Sequence, residues 1–87
     1  MASYRVVLAS SAEKELKRLS GPLIARIISR LENLSSNPRP PGCKKLKGGD
    51  REWRIRVGDY RVVYTVDDSK ALVEVMRIRH RSDVYER

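Results

Sequence analysis

The chain has 87 residues, with 19 lysines and arginines against 11 aspartates and glutamates, so its formal net charge at pH 7 is +8. This length predicts one domain, residues 1–87, with a modest core, and the positive charge favours contact with polyanions. The lone Cys43 excludes an internal disulfide, and no apolar stretch has the length of a signal peptide or membrane span, which together favour the cytoplasm.

The first half of the chain has the pattern of one strand followed by two helices. Residues 3–8 are rich in strand formers. Ser10 and Glu13 have the spacing of a capping box, which predicts a first helix that begins there and continues to about Leu19. Pro22 can start a second helix, so we predict a helical hairpin that covers a sheet. The apolar stripe of the second helix consists of Leu23, Ile24, Ile27, Ile28, Leu31 and Leu34.

The second half has the pattern of several strands joined by tight turns. A proline-rich loop over 35–42 separates it from the helices. We predict a short strand over 43–47 and longer strands over 51–57, 60–66 and 71–80, with turns at 48–50, 58–59 and 67–70. The predicted fold class is therefore α+β, in the order β-α-α-β-β-β-β. Its helical hairpin packs on one face of a curved, mainly antiparallel sheet.

Arginines alternate with other residues along the three longer strands. Because successive side chains of a strand point to opposite faces, this phasing can gather guanidinium groups on one side of the sheet. Arginine keeps its charge, and its planar fork matches phosphate oxygens. The pattern therefore predicts a phosphodiester site, with RNA as the leading partner. The alternative is that these arginines form only the solvated face of a half-buried sheet.

Four motifs in the second half are distinctive: Lys-Leu-Lys-Gly at 45–48, Trp-Arg-Ile-Arg at 53–56, Gly-Asp-Tyr-Arg-Val-Val-Tyr at 58–64 and His-Arg-Ser-Asp-Val-Tyr at 80–85. With the order of elements, they resemble the RelE branch of the RelE/ParE toxin superfamily. The resemblance covers nearly the whole chain and is most specific in the last two motifs. It implies a toxin of a type II toxin–antitoxin pair that cleaves messenger RNA in the ribosomal A site, without metal or cofactor. It also implies a RelB-type antitoxin, through which the complex binds operator DNA.

Carried over residue by residue, the catalytic pattern of the family falls on Arg54, Arg56, Arg61, Arg79 and Tyr85. The family also has lysines where this chain has Arg54 and Arg56. We interpret Arg61 and Arg79 as holding the scissile phosphate, and Arg54 and Arg56 as stabilising developing charge. Nearby positive charge would lower the pKa of Tyr85, which makes it the candidate general base for the ribose 2′-hydroxyl.

Other basic residues are candidate contacts to RNA or the ribosome: Lys44, Lys45, Lys47, Arg77 and Arg81. Arg81 has the strand phase to join the arginine group. His80 is the candidate donor to the leaving oxygen, although a regular strand points it away from Arg79 and Arg81. It is the only histidine, so the paired-histidine ribonuclease scheme is excluded, and the acidic residues are not spaced as a metal site.

Two other functions remain open from the sequence. One is a non-nucleolytic inhibitor of DNA gyrase on the same scaffold, as in the ParE branch. The other is a binding module that acts only with its antitoxin as a DNA-binding repressor complex. Among the aromatic residues, Trp53 could stack on a base but shares its phase with Ile55 and Val57, which favours the core. Tyr60 and Tyr64 are predicted to pack, and Cys43 to be structural.

Overall fold

The chain begins with strand β1 (Arg5–Leu8) and helices α1 (Ser10–Lys17) and α2 (Gly21–Ser36). Strands β2 (Lys44–Lys45), β3 (Glu52–Val57), β4 (Tyr60–Asp67) and β5 (Leu72–His80) follow, and then the short helix α3 (Arg81–Val84). This computed structural model describes residues 3–47 and 51–84, so the predicted turn at 48–50 lies outside the described residues. The α+β class and the order β-α-α-β-β-β-β are confirmed, with α3 as an addition.

The strands form one sheet in the order β1-β5-β4-β3-β2. β2, β3, β4 and β5 pair antiparallel in sequence order, whereas β1 pairs parallel with β5. A parallel pair requires a long crossover between its strands, and α1 and α2 are part of that connection. The prediction of a mainly antiparallel sheet is confirmed.

The two long helices begin close to the predicted positions, but the capping box is absent. Ala9 is the N-cap of α1, with no side-chain cap, and its carbonyl accepts a hydrogen bond from the Glu13 amide at 2.9 Å. Ser10 is already inside the helix, so its hydroxyl cannot act as the cap. In α2, Pro22 lies in the first turn as predicted, and the middle of the apolar stripe is buried at Ile27, Leu31 and Leu34. Among the described residues, no helix is long and apolar enough to cross a membrane.

The core lies between these helices and one face of the sheet. Its members are buried apolar residues of α1, α2, β3, β4 and β5: Ala12, Leu16, Ile27, Leu31, Leu34, Ile55, Val57, Val62, Tyr64, Val66, Val73, Val75 and Ile78. Trp53, Tyr60 and Cys43 pack against this cluster, which confirms the predicted packing roles of all three. Tyr64 is fully buried, as predicted, and its hydroxyl donates a hydrogen bond to the Pro38 carbonyl at 2.7 Å.

A second polar contact fastens the loop after α2 to the turn between β4 and β5. The Asp68 carboxylate accepts hydrogen bonds from Arg39 Nη2 at 2.8 Å and from the Tyr4 hydroxyl at 2.6 Å. The bond from Arg39, followed by that from Tyr4, lowers the pKa of Asp68. The Arg39 guanidinium also lies 5.3 Å from the centre of the Trp53 ring, as in a cation–π contact. This loop is therefore held over one end of the core.

Candidate functional site

The face of the sheet away from the helices carries three arginines in direct register. Arg61 of β4 lies opposite Arg56 of β3 on one side and opposite Arg79 of β5 on the other. Direct cross-strand partners share a face, with Cβ atoms about 4.5–5.5 Å apart. We call Arg56, Arg61 and Arg79 the arginine row. Its outer members, Arg56 and Arg79, are 23 positions apart in the sequence, and the sheet brings them together.

A second row lies beside the first, one step along the strands. In it, Val63 lies between Arg54 of β3 and Arg77 of β5, and Lys44 of β2 lies opposite Arg54. Lys45 pairs with Trp53 and therefore belongs to the helix side of the sheet. Of the predicted RNA contacts, Lys44 and Arg77 thus join the arginine face, whereas Lys45 does not. Lys47 is exposed beyond the end of β2.

A β-bulge places the arginines of β5 on this face. Tyr64 pairs with Val75 but Val63 pairs with Arg77, so Met76 is an extra residue in β5. Val75 is fully buried in the core, and regular alternation would turn Arg77 toward the core as well. The bulge reverses the phase, so that Ile78 is buried instead. Strand phasing predicted the correct face for Arg77 and Arg79 without predicting the bulge.

Burial distinguishes Arg54 from the other predicted catalytic arginines. Arg54 is only 8% exposed, whereas Arg56 is exposed and Arg61 and Arg79 are half-buried. Burial, and then the charges of Arg61 and Arg56, lower the pKa of Arg54. Within the described part of the chain, its buried Nε has no hydrogen-bond partner. A cation in this environment would be stabilised strongly by an incoming anion.

The acidic residue Glu15 of α1 also belongs to the site, although no sequence motif marks it. Its Oε2 accepts hydrogen bonds from Arg77 Nη2 at 2.9 Å and Nε at 3.2 Å, and from Arg79 Nε at 3.4 Å. Its Oε1 accepts one from the Ile78 amide at 2.7 Å. These contacts join residues more than sixty positions apart, so no local motif could report them. The one local indication was that the carboxylate of Glu15 directly precedes Leu16, which is buried.

His80 lies on the opposite side of β5 from Arg79, as its phase predicted. It pairs with Tyr60, and the two rings meet edge to face with centres 5.2 Å apart. The Ser82 amide donates a hydrogen bond to His80 Nδ1 at 3.2 Å. The ring therefore lies on the helix side of the sheet and not in the arginine row.

Two predictions concern the chain after β5. The expectation that Arg81 continues the strand phase is wrong, because β5 ends at His80 and Arg81 begins α3. There its amide donates a hydrogen bond to the Asp59 carbonyl at 2.8 Å, and the residue is exposed. Tyr85, the predicted general base, lies outside the described residues.

Comparisons with known proteins extend over nearly the whole chain. The family model described as the ParE toxin of the type II toxin–antitoxin system parDE matches residues 6–85. The chain is 33% identical over 86 residues to toxin RelE3 of Methanocaldococcus jannaschii, covering 94% of this chain and 96% of that protein. It is 32% identical over 83 residues to toxin RelE of Mycobacterium tuberculosis, covering 94% and 86%.

Solved structures of RelE toxins also resemble this chain over most of its length. The archaeal RelE–RelB complex from Pyrococcus horikoshii matches with a TM-score of 0.82 and 27% identity, covering 91% of this chain and 96% of that chain. The toxin–antitoxin complex RelBE2 from Mycobacterium tuberculosis matches with a TM-score of 0.80 and 28% identity, covering 95% and 97%. The family-model match, at residues 6–85, spans β3, β4 and β5, the strands that carry the arginine row.

Proposed function

The chain belongs to the RelE/ParE superfamily of toxins from type II toxin–antitoxin systems, and from this premise we propose that it is a ribosome-dependent endoribonuclease that cuts messenger RNA in the A site. The observation that carries the proposal is the arginine row, where Arg56, Arg61 and Arg79 stand in register across three strands. Arginines held this close together create a positive potential that attracts an anion. A phosphodiester supplies that anion, and guanidinium groups fit its oxygens.

In the proposed reaction the ribose 2′-oxygen attacks phosphorus, the new P–O2′ bond forms, and the P–O5′ bond breaks. The products are a 2′,3′-cyclic phosphate and a 5′-hydroxyl. The 2′-hydroxyl proton passes to a general base, and the 5′-oxygen takes a proton from water as it leaves. Arg61 and Arg79 hold the phosphate, and Arg54 and Arg56 stabilise the added negative charge. The burial of Arg54 strengthens this effect, because charges interact more strongly away from water.

The general base is assigned from the family resemblance. Tyr85, which follows α3 in sequence, is the proposed general base, and the positive charge of the site would favour its phenolate. His80 faces the helix side of the sheet, which favours an auxiliary role over a direct one. The arginines act through charge, since guanidinium does not readily deprotonate. The reaction as proposed uses no metal or cofactor.

We propose further that a RelB-type antitoxin holds the protein inactive. The similar chains from Pyrococcus horikoshii and Mycobacterium tuberculosis were solved as toxin–antitoxin complexes. A face with five arginines and Lys44 attracts an acidic segment, which could cover the row and exclude RNA. The complex would bind operator DNA through the antitoxin. The free toxin would act in the cytoplasm, where the ribosomes are.

The test uses ribosomes stalled on a defined messenger, with the new 5′ ends mapped by primer extension. Arg61→Ala should lower cleavage about 10²- to 10³-fold, the usual effect of removing one group that stabilises transition-state charge. Tyr85→Phe should lower cleavage with ribosome binding retained. Arg30→Ala, at an exposed position on α2, is the matched control and should cut normally. Normal A-site cutting by Arg61→Ala or Tyr85→Phe would remove that residue from the site.

The alternative function is ParE-like inhibition of DNA gyrase, which the name of the matching family model keeps open. Gyrase inhibition does not require a phosphate-directed arginine row, so the row favours RNA cleavage. One experiment distinguishes the two functions: the same purified protein is added to stalled ribosomes and to a gyrase supercoiling reaction. Growth inhibition without A-site cuts, together with loss of supercoiling, would establish the alternative.

A further inference from the structure

We propose that Glu15 is a positioning residue for RNA cleavage, which orients Arg79 within the arginine row without touching the substrate. This inference rests on the proposed function, because it concerns the same phosphate site. It is independent of the identity of the general base. The contacts, the geometry of β5 and the charge balance of the site support it separately.

Glu15 makes different contacts with its two arginine partners. Arg77 donates through both Nη2 and Nε, at 2.9 and 3.2 Å, so one edge of its guanidinium is occupied. Arg79 donates through Nε alone, at 3.4 Å. In the described part of the chain, the terminal Nη groups of Arg79 are therefore left for another anion. Arg77 is anchored, and Arg79 is restrained but remains open to a phosphate.

The position of α1 explains how Glu15 reaches the site. β1 pairs with β5 from Leu72 to Val75, and beyond that point no described strand pairs with the outer edge of β5. α1 covers this edge. Ser11 donates from its hydroxyl to the Met76 carbonyl at 2.7 Å, and Glu15, one turn later, accepts from the Ile78 amide at 2.7 Å. Two side chains of α1 thus hold the bulged segment, and one of them also holds the arginines.

The purely structural interpretation is that Glu15 only satisfies the Ile78 amide at the edge of the sheet. That role needs one acceptor oxygen and no charge. The second oxygen, bound to Arg77 and Arg79, goes beyond this requirement. The Glu15 side chain is 20% exposed, so the ion pairs are partly shielded from water. Positioning and amide satisfaction can therefore be separated by a substitution that removes only the charge.

A carboxylate here has two opposite effects on cleavage. Its negative charge lowers the local positive potential and so weakens the attraction for RNA. Its hydrogen bonds restrict Arg79 to one orientation, which favours the reaction because misplacement of a catalytic group is costly. If positioning is the main role, removal of the charge should slow the chemical step while RNA binding stays equal or becomes tighter. A loss of folded protein would lower the active fraction and would not produce this split.

Glu15→Gln is the decisive variant, because glutamine can still accept from the Ile78 amide. We expect its single-turnover cleavage rate on stalled ribosomes to fall about tenfold, with ribosome affinity unchanged or tighter. Glu13→Gln makes the same change at an exposed position on the same helix and should leave the rate unchanged. Ser11→Ala removes the other contact to the β5 edge and should lower the melting temperature without changing the rate per folded molecule.

A second measurement does not depend on activity. In labelled protein, NMR signals of the Arg77 and Arg79 Nε–H groups should show slow hydrogen exchange in the wild type and fast exchange in Glu15→Gln. A wild-type protein that does not cut refutes the proposed function, whatever the NMR result. A wild type that cuts, beside a Glu15→Gln variant that cuts equally fast or faster, refutes the positioning role. Unchanged exchange of the Arg79 Nε–H group would refute it as well.

Discussion

The two faces of the sheet differ in composition and burial although they are built from the same strands. On the helix side, β4 presents Val62 and Tyr64, both fully buried. On the open side it presents Arg61, between the arginines of β3 and β5, and half-buried Val63. The buried apolar residues that stabilise the fold therefore lie on the first face, and the arginines, which repel one another, lie on the second. The effect of a substitution therefore depends on the side of the strand as much as on the residue type.

The open face has an energetic cost that the helix side offsets. Like charges directly opposite one another destabilise a sheet, and the arginine row contains two such pairs. Glu15 contacts the β5 end of this face, at Arg77 and Arg79. Apolar burial on the other face stabilises the sheet and offsets the repulsion between the arginines. This imbalance is expected of a surface that binds a polyanion.

The largest stability effect should come from neighbouring valines that differ only in face. Val62→Ala removes two methyl groups from a fully buried site and should lower the free energy of unfolding by about 2–3 kcal/mol. Val63→Ala, on the half-buried open face, should lower it by about 1 kcal/mol or less. Urea unfolding of both variants checks this. Equal losses would show that the two faces contribute alike to stability.

Arg54→Met should affect stability and activity in opposite directions. Replacement of a buried charge by an apolar side chain of similar volume should raise the free energy of unfolding by about 1 kcal/mol. Loss of the charge should slow A-site cleavage at least about tenfold. Urea unfolding and single-turnover cleavage measure the two effects. A less stable variant would mean that the buried charge of Arg54 stabilises the fold, instead of lowering stability for the sake of activity.

Tyr64→Phe tests a polar contact on the apolar face. It removes the hydrogen bond to Pro38 and leaves that carbonyl without its partner, so the free energy of unfolding should fall by about 1–2 kcal/mol. Burial raises the pKa of Tyr64, so its hydroxyl remains a donor throughout the working pH range. Tyr60→Phe is the control, because no described residue receives a hydrogen bond from that hydroxyl. Cleavage per folded molecule should be unchanged in Tyr64→Phe, and a large loss would link the loop to the site.

Strand periodicity was enough to predict most of this arrangement. Alternation predicted that Trp53, Ile55 and Val57 face the helices, and that Arg54 and Arg56 do not, because both sets lie within one regular strand. The same rule failed at Arg81, where the amide bonds to Asp59 and the chain turns into α3. Alternation is a local rule, and it carries no information about where a strand ends.

The features that the sequence did not predict depend on contacts between distant segments. The capping box of Ser10 and Glu13 is a frequent local motif, but the chain enters α1 at Ala9, one residue earlier than the motif requires. The bulge at Met76 depends on the register between β4 and β5, and Glu15 reaches β5 only after α1 has packed along its edge. The bulge and Glu15 complete the arginine face, so the sequence predicted which residues form this face better than how they are arranged.

The smallest predicted effect concerns acid, which should act far from the arginine face. Hydrogen bonds from Arg39 and Tyr4 lower the pKa of Asp68, which in an unfolded chain is about 4. Its stabilising effect is thus fully present above that pH and is lost as the pH falls through the lower pKa of the folded state. Asp68→Asn should therefore be slightly less stable than the wild type at pH 7, and the difference should disappear in more acidic solution. Urea midpoints across this range measure it, with Glu32→Gln, at an exposed position on α2, as the control. The arginines keep their charge throughout, so a deficit that persists in acid would mean that Asp68 acts by packing and not by charge.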